Sequence, residues 1–184
     1  MSQRRVVITG SMGTIGKKLM SAFPSAIGID RVIGADIVCD LSTVDYSSGV
    51  IAEAFRGADA VIHLATSSDP MAPDQVHYED VINTARLVAA CAVAKVNLLI
   101  LASSDWAQPK DPTLSINTYG HSKRVIEAMA AMFSHSQNCQ AVALRIGWVP
   151  ADPSALVDAP GWLLANHWSD ATLIAAFQSA ISPG

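Results

Sequence analysis

The stretch Arg4–Gly16, RRVVITGSMGTIG, decides the fold. Arg4–Thr9 is a short run rich in valine and isoleucine, the pattern of a strand buried on both faces. Gly10, Gly13 and Gly16 follow at G-x-x-G-x-x-G spacing, and Thr14–Ala22 then reads as a helix stopped before Pro24. A glycine turn between a buried strand and a helix is where backbone N–H groups cradle a phosphate. One glycine permits the tight turn, one lets the backbone approach the ligand, and one lets helix and strand pack closely. Gly10, Met12, Gly13, Thr14, Ile15 and Gly16 are therefore the expected pyrophosphate-side residues of a dinucleotide site.

Outward from this loop the chain keeps alternating. Ala26–Asp30 and Asp36–Cys39 read as strands, Thr43–Arg56 as a helix ended by Gly57, and Ala58–Ala65 as a fourth strand. The alanine-rich Asp74–Lys95 reads as a long helix and Asn97–Ala102 as a fifth strand. A polar loop with Pro109 and Pro112 leads to a helix at Tyr119–Ser134 and a sixth strand at Gln140–Ile146. Helices alternating with short continuous apolar strands predict a parallel sheet covered on both faces: an α/β, Rossmann-type doubly wound fold over residues 1–146. After Gly147 the prolines at 150, 153 and 160 break the pattern, and only Asp170–Ile181 reads as helix. Residues 147–184 are expected as a short C-terminal cap over one end of the sheet, too few for an independent domain.

Composition narrows the partners. The 184 residues, 51% hydrophobic and 15% charged, suit one domain with an ample core. A net charge of −4 gives no electrostatic reason to bind nucleic acid or an anionic membrane. No stretch reaches the roughly 18 consecutive apolar residues of a membrane span. Strand-like sequence from Arg4 leaves no room for a signal peptide. Cys39, Cys91 and Cys139, odd in number and far apart, read as reduced thiols of a cytoplasmic protein. The five histidines form no ligand-like pair and Cys-x-x-Cys is absent, so no metal site is expected.

Asp30 lies twenty residues beyond Gly10, at the end of the second strand. A carboxylate there accepts hydrogen bonds from the adenine-side ribose and repels a 2′-phosphate, which favours NAD over NADP. Asp40-Leu41 closes the third strand, where Asp40 either faces the adenine amino group or caps a helix. Tyr119 and Lys123 stand at i and i+4, on one helix face, and a nearby ammonium favours a phenolate. Ser103 and Ser104 lie at the carboxyl end of the fifth strand, the edge at which open α/β sheets bind ligands. Ser104 is the expected catalytic hydroxyl.

Together these pieces resemble the extended short-chain dehydrogenase/reductase superfamily, the NAD-dependent epimerase/dehydratase group. The resemblance rests on Thr9-Gly10-x-x-Gly13-x-x-Gly16, Asp30, Asp40-Leu41, His63-Leu64-Ala65, Ser103-Ser104 and Tyr119-x-x-x-Lys123. It implies that Leu64, Ala65, Ser103, Tyr119 and Lys123 also line the cofactor, and that the protein is a homodimer packed through its two long helices. Leu144-Arg145-Ile146-Gly147 and the short tail look like the uronate dehydrogenases, which oxidise a sugar acid at its anomeric carbon. By that likeness Ser68, Ser104, Asp105 and Trp148 face the substrate. The chain departs from the pattern at Asp80, where the family usually has Asn. It departs again at Asp105-Trp106, Trp148 and Val157, where uronate dehydrogenases have Asn-His, Ser and a carboxylate-binding Arg.

The expected chemistry is hydride transfer between a small hydroxy or carbonyl compound and NAD. Tyr119 would move the proton, Ser104 orient the oxygen, and Lys123 lower the tyrosine pKa and hold the ribose. Trp106, Trp148, Trp162 and Trp168 read either as an apolar lid or as plain packing. Two other outcomes use the same residues: an epimerase or dehydratase that keeps its NAD bound, with Asp105 as the extra carboxylate of a dehydration, and a non-catalytic NAD-binding sensor.

Overall fold

A computed structural model describes residues 4–109, 115–137 and 139–182; Pro112 lies outside the described residues. Strand β1 is Val6–Thr9, followed by helix α1 at Thr14–Ala22, strands β2 (Ile27–Asp30) and β3 (Ile37–Val38), helix α2 (Gly49–Phe55) and strand β4 (Ala60–His63). Helix α3 (Asp74–Ala94), strand β5 (Leu98–Ser104), helix α4 (Thr118–Gln137) and strand β6 (Gln140–Ile146) complete the alternation. Helices α5 (Gly161–Leu164) and α6 (Asp170–Ile181) lie in the tail. The six strands form one sheet in the order β3-β2-β1-β4-β5-β6, with every pair parallel. The order reverses between β1 and β4, so the crevice at their carboxyl ends is the ligand position of a doubly wound sheet.

Alternation along the strands splits the core into two layers. Val7, Ile29, Val61, Leu99 and Leu101 point to one face, under Phe55 of α2, Leu87 and Cys91 of α3 and Ile126 and Phe133 of α4. Val6, Ile8, Ile62 and Ile100 point to the other, against Leu19 of α1 and Leu173, Phe177 and Ile181 of α6. Helix α6 is therefore a layer of the fold, covering the sheet face beside α1, rather than a cover on the sheet's end.

Several boundaries differ from the sequence expectation. The helix expected from Thr43 begins only at Gly49. Asp45 holds the preceding residues in a turn, accepting from the Ser47 N–H at 2.9 Å and from the hydroxyls of Ser47 and Ser48 at 2.6 Å each. Side chains of this kind offer the backbone an alternative to helix. Strand β3 shrinks to two residues at the sheet edge. Strand β5 runs on through Ser103 and Ser104 because β6 pairs with it along its full length.

Candidate active site

At the carboxyl end of β1, Gly10 has φ +72°, a left-handed conformation natural to glycine, and a Cβ there would lie 2.7 Å from the Leu64 carbonyl carbon. A Cβ on Gly16 would lie 2.1 Å from the Gly10 oxygen. The loop is thus folded tightly over the start of α1. That helix has Gly13 at its N-cap and no side chain capping it, so its first N–H groups point outward for an anion. Asp30 accepts from the Met12 N–H at 2.9 Å and the Val32 N–H at 3.1 Å, which fixes its carboxylate beside the loop. The cradle, the uncapped helix and the placed carboxylate fit a dinucleotide.

Asp40 and Ser103 each hold local hydrogen bonds. Asp40 accepts from the Ser42 N–H at 2.9 Å and the Ser42 hydroxyl at 2.7 Å; it closes a turn, and with α2 starting at Gly49 it caps no helix. Leu41 behind it is buried in the core. Ser103 and Ser104 point to opposite faces of β5. The Ser103 hydroxyl donates to Glu127 at 2.7 Å, and Glu127 also takes Arg145 through both carboxylate oxygens at 2.6 and 2.8 Å. That network ties β5 and β6 to α4, and only the backbone of Ser103 is left for a cofactor.

Ser104, Tyr119 and Lys123 come together at the carboxyl edge of the sheet, where β5 ends and α4 begins. The Ser104 hydroxyl is close enough to the Tyr119 phenol to favour its ionisation, and the Lys123 ammonium lies 5.0 Å from the centre of the Tyr119 ring. The first turn of α4 reaches this position because Gly120 lets it approach β5: a Cβ there would lie 2.5 Å from the Trp106 oxygen. Asn117 caps the same turn, accepting from the Gly120 N–H at 3.0 Å. The Ser104 hydroxyl donates to Asp105 at 3.0 Å and accepts from the Trp106 N–H at 3.3 Å, which holds it at the start of a 3-10 turn, Asp105–Ala107.

The electrostatics differ from the sequence expectation in one respect. Tyr119 has its pKa raised, chiefly by burial and secondarily by the Asp105 and Asp80 carboxylates, with the Ser104 hydroxyl acting the other way. Lys123 does not figure among these causes; its ammonium sits over the ring and donates to Thr66 Oγ1 at 3.0 Å. Burial lowers the Lys123 pKa to about 8, with Asp80 opposing. Asp80 accepts from the Ser67 N–H at 2.8 Å, and burial raises its pKa.

Sequence reasoning passed over Thr66 and His77 as site residues and read Trp106 only as lid or packing. Thr66 holds Lys123. His77, 1% exposed, meets the Tyr119 ring edge-on at 5.4 Å between centroids. Trp106 meets the same ring at 6.4 Å. A usable signal for His77 was its place one turn before Asp80 on α3. His63, by contrast, bridges Thr9 Oγ1 at 2.7 Å and Thr84 Oγ1 at 3.2 Å, and burial pushes its pKa down to about 3: a neutral structural tie between β4 and its neighbours.

The expected substrate-side residues are more scattered. Ser68 is exposed and Asp105 half-buried. Trp148 is bridged to the tail, its N–H donating to the Asn166 oxygen at 2.7 Å and its oxygen accepting from Trp168 at 2.9 Å. The four tryptophans do not form one lid: Trp168 packs on the core and Trp162 is 58% exposed. Among the described residues, no cluster of three or more His, Cys, Asp or Glu forms a metal site, and no helix is long and apolar enough to cross a membrane.

Residues 6–149 match the NAD dependent epimerase/dehydratase family. The chain belongs to that family. A curated member of known activity, L-arabinose 1-dehydrogenase (NAD(P)(+)) of Haloferax volcanii, is 26% identical over 174 residues, covering 79% of this chain and 67% of its own. Among solved structures, a mutated uronate dehydrogenase superposes with a TM-score of 0.65 at 23% identity, covering 78% of this chain and 58% of its own. The UDP-N-acetylglucosamine 4-epimerase of Methanobrevibacter ruminantium, in complex with UDP-N-acetylmuramic acid, gives 0.67 at 20% identity, covering 88% of this chain and 60% of its own. At these identities the likeness establishes the fold, and this chain spans three-fifths or less of the length of those two structures.

Proposed function

We propose that this member of the family is an NAD-dependent oxidoreductase acting on a small hydroxylated substrate, an aldose oxidised at C1 being the first to test. The observation that supports the proposal is the grouping of Ser104, Tyr119 and Lys123, with Lys123 bonded to Thr66 just after the Leu64–Ala65 backbone that packs on Gly10. The arabinose dehydrogenase relative supports the substrate class.

Gly10, Met12, Gly13, Thr14, Ile15 and Gly16 would hold the pyrophosphate, Asp30 the adenine-side ribose, and the Leu64–Ala65 and Ser103 backbone the walls of the cleft. When bound, NAD supplies the hydride acceptor for the carbinol carbon. Tyr119 takes the hydroxyl proton as its phenolate, so the substrate C–H and O–H bonds break and a carbonyl forms. Ser104 turns its hydrogen from Asp105 to the substrate oxygen and orients it. Lys123 holds a positive charge under the tyrosine ring and beside the cofactor ribose. Residues 1–146 form the cofactor half, and the tail from Gly147, with Trp148, Ser68 and Asp105, flanks the substrate. Asp30 favours NAD over NADP.

The chain would work as a homodimer through α3 and α4, whose surfaces leave Ile82 59%, Val93 84%, Val125 43% and Met132 62% exposed. The free thiols of all three cysteines favour a reducing compartment, the cytoplasm. The test is NADH absorbance with L-arabinose and other small aldoses. Growth at 340 nm that is lost in Tyr119→Phe supports the proposal. Sugar isomerisation without NADH points to an epimerase, and NAD binding without turnover of any sugar points to a sensor; either result overturns it.

A further inference from the structure

A buried imidazole with nothing to bind is the least explained group in the molecule. Both ring nitrogens of His77 are buried, and neither has a hydrogen-bond partner among the described residues. Leaving such groups unmade is costly, on the order of 1–3 kcal/mol each, and a phenylalanine would fill the same space without that cost. The imidazole is not spare packing remote from the chemistry. It lies edge-on to the Tyr119 ring at 5.4 Å, in the first turns of α3, one turn before Asp80.

We propose that His77 is a specificity-determining residue that binds a second hydroxyl of the substrate, on the carbon next to the one oxidised. This rests on the oxidoreductase reading above and names the chemistry its substrate must carry. An imidazole whose two nitrogens lack partners can bond a hydroxyl, which donates as readily as it accepts. A carboxylate would satisfy the donor alone. It would also meet Asp80 and Asp105, both close enough to Tyr119 to act on it electrostatically. The surroundings of Tyr119 therefore suit a neutral polyhydroxylated compound better than a sugar acid.

The experiment compares L-arabinose with 2-deoxy-L-ribose, the same aldopentose lacking the C2 hydroxyl, on the NAD-loaded chain. Wild type is expected to favour L-arabinose in kcat/KM by about tenfold or more. His77→Phe is expected to bring the two within about threefold of each other, by losing rate on L-arabinose alone. His77→Gln, which keeps a donor and an acceptor, is expected to restore part of the preference. Equal losses on both sugars, with the preference intact, would show a packing role and overturn the proposal. Imidazole ¹⁵N signals of wild type, followed during L-arabinose titration, decide the matter if His77→Phe does not fold. Movement of the His77 signals supports the proposal even where no NADH forms, a result that would sink the oxidoreductase reading alone. Signals unmoved by L-arabinose overturn it whether or not NADH forms.

Discussion

Tyr119 sits where its own ionisation is opposed: burial and two carboxylates hold the phenol protonated above its ordinary range. A base that must lose its proton before it can accept one is used at a cost that falls as pH rises. The oxidation rate is therefore expected to climb about tenfold per pH unit from neutral pH upward. Lys123, with its pKa lowered to about 8, carries its charge at neutral pH and loses it above that value. The KM for NAD should accordingly rise above pH 8 while kcat still climbs. A flat profile for both parameters across that range contradicts these assignments. Tyr119→Phe removes the proton acceptor but no part of the cradle, so turnover should fall by about 10²–10⁴-fold while calorimetry shows NAD still bound. Asp30→Ser removes the charge that repels a 2′-phosphate, and relative kcat/KM for NADP should rise at least tenfold or so. An unchanged cofactor ratio would remove Asp30 from the site.

At the scale of elements, the glycine loop and α1 act as one unit, because Gly16 leaves room for the Gly10 oxygen that a Cβ would occupy. Gly16→Ala is expected to open the loop, costing NAD affinity and lowering Tm; wild-type affinity in that variant would show that the cradle is not needed. Helix α6 is equally integral. Phe177→Ala leaves a cavity between α6 and the sheet, and denaturation should register a loss of about 3–5 kcal/mol. The alternation of strands and helices was legible in the sequence because buried parallel strands are uniformly apolar and helices carry a longer period. The glycine loop, Ser104, Tyr119 and Lys123 were legible because their spacing is local. What stayed hidden was set by contacts across the chain. Asp45 turns residues 43–48 away from helix through its own side chain. Ser103 and Ser104 look alike as neighbours, and only the strand's pleat sends one to Glu127 and the other to Tyr119. Thr66 and His77 reach the site from segments far from Tyr119 in sequence, Thr66 with nothing to mark it and His77 with only its place one turn before Asp80.

The whole molecule is a doubly wound sheet whose two apolar layers are closed by α2, α3 and α4 on one side and α1 and α6 on the other. Exposed apolar side chains remain on α3 and α4, and light scattering is expected to give the mass of two chains, reduced to one by Met132→Glu. A monomer in the unaltered protein would leave those faces for another partner. The claim on which all else depends is that one cleft holds the dinucleotide and the phenol of Tyr119 together. A crystal structure of the chain with NAD measures it directly. The account predicts the pyrophosphate over Gly10–Gly16, Asp30 on the adenine-side ribose, and the Tyr119 oxygen beside the nicotinamide with Lys123 between it and the sugar. A phenol turned out of the cleft, or NAD bound elsewhere, would contradict it.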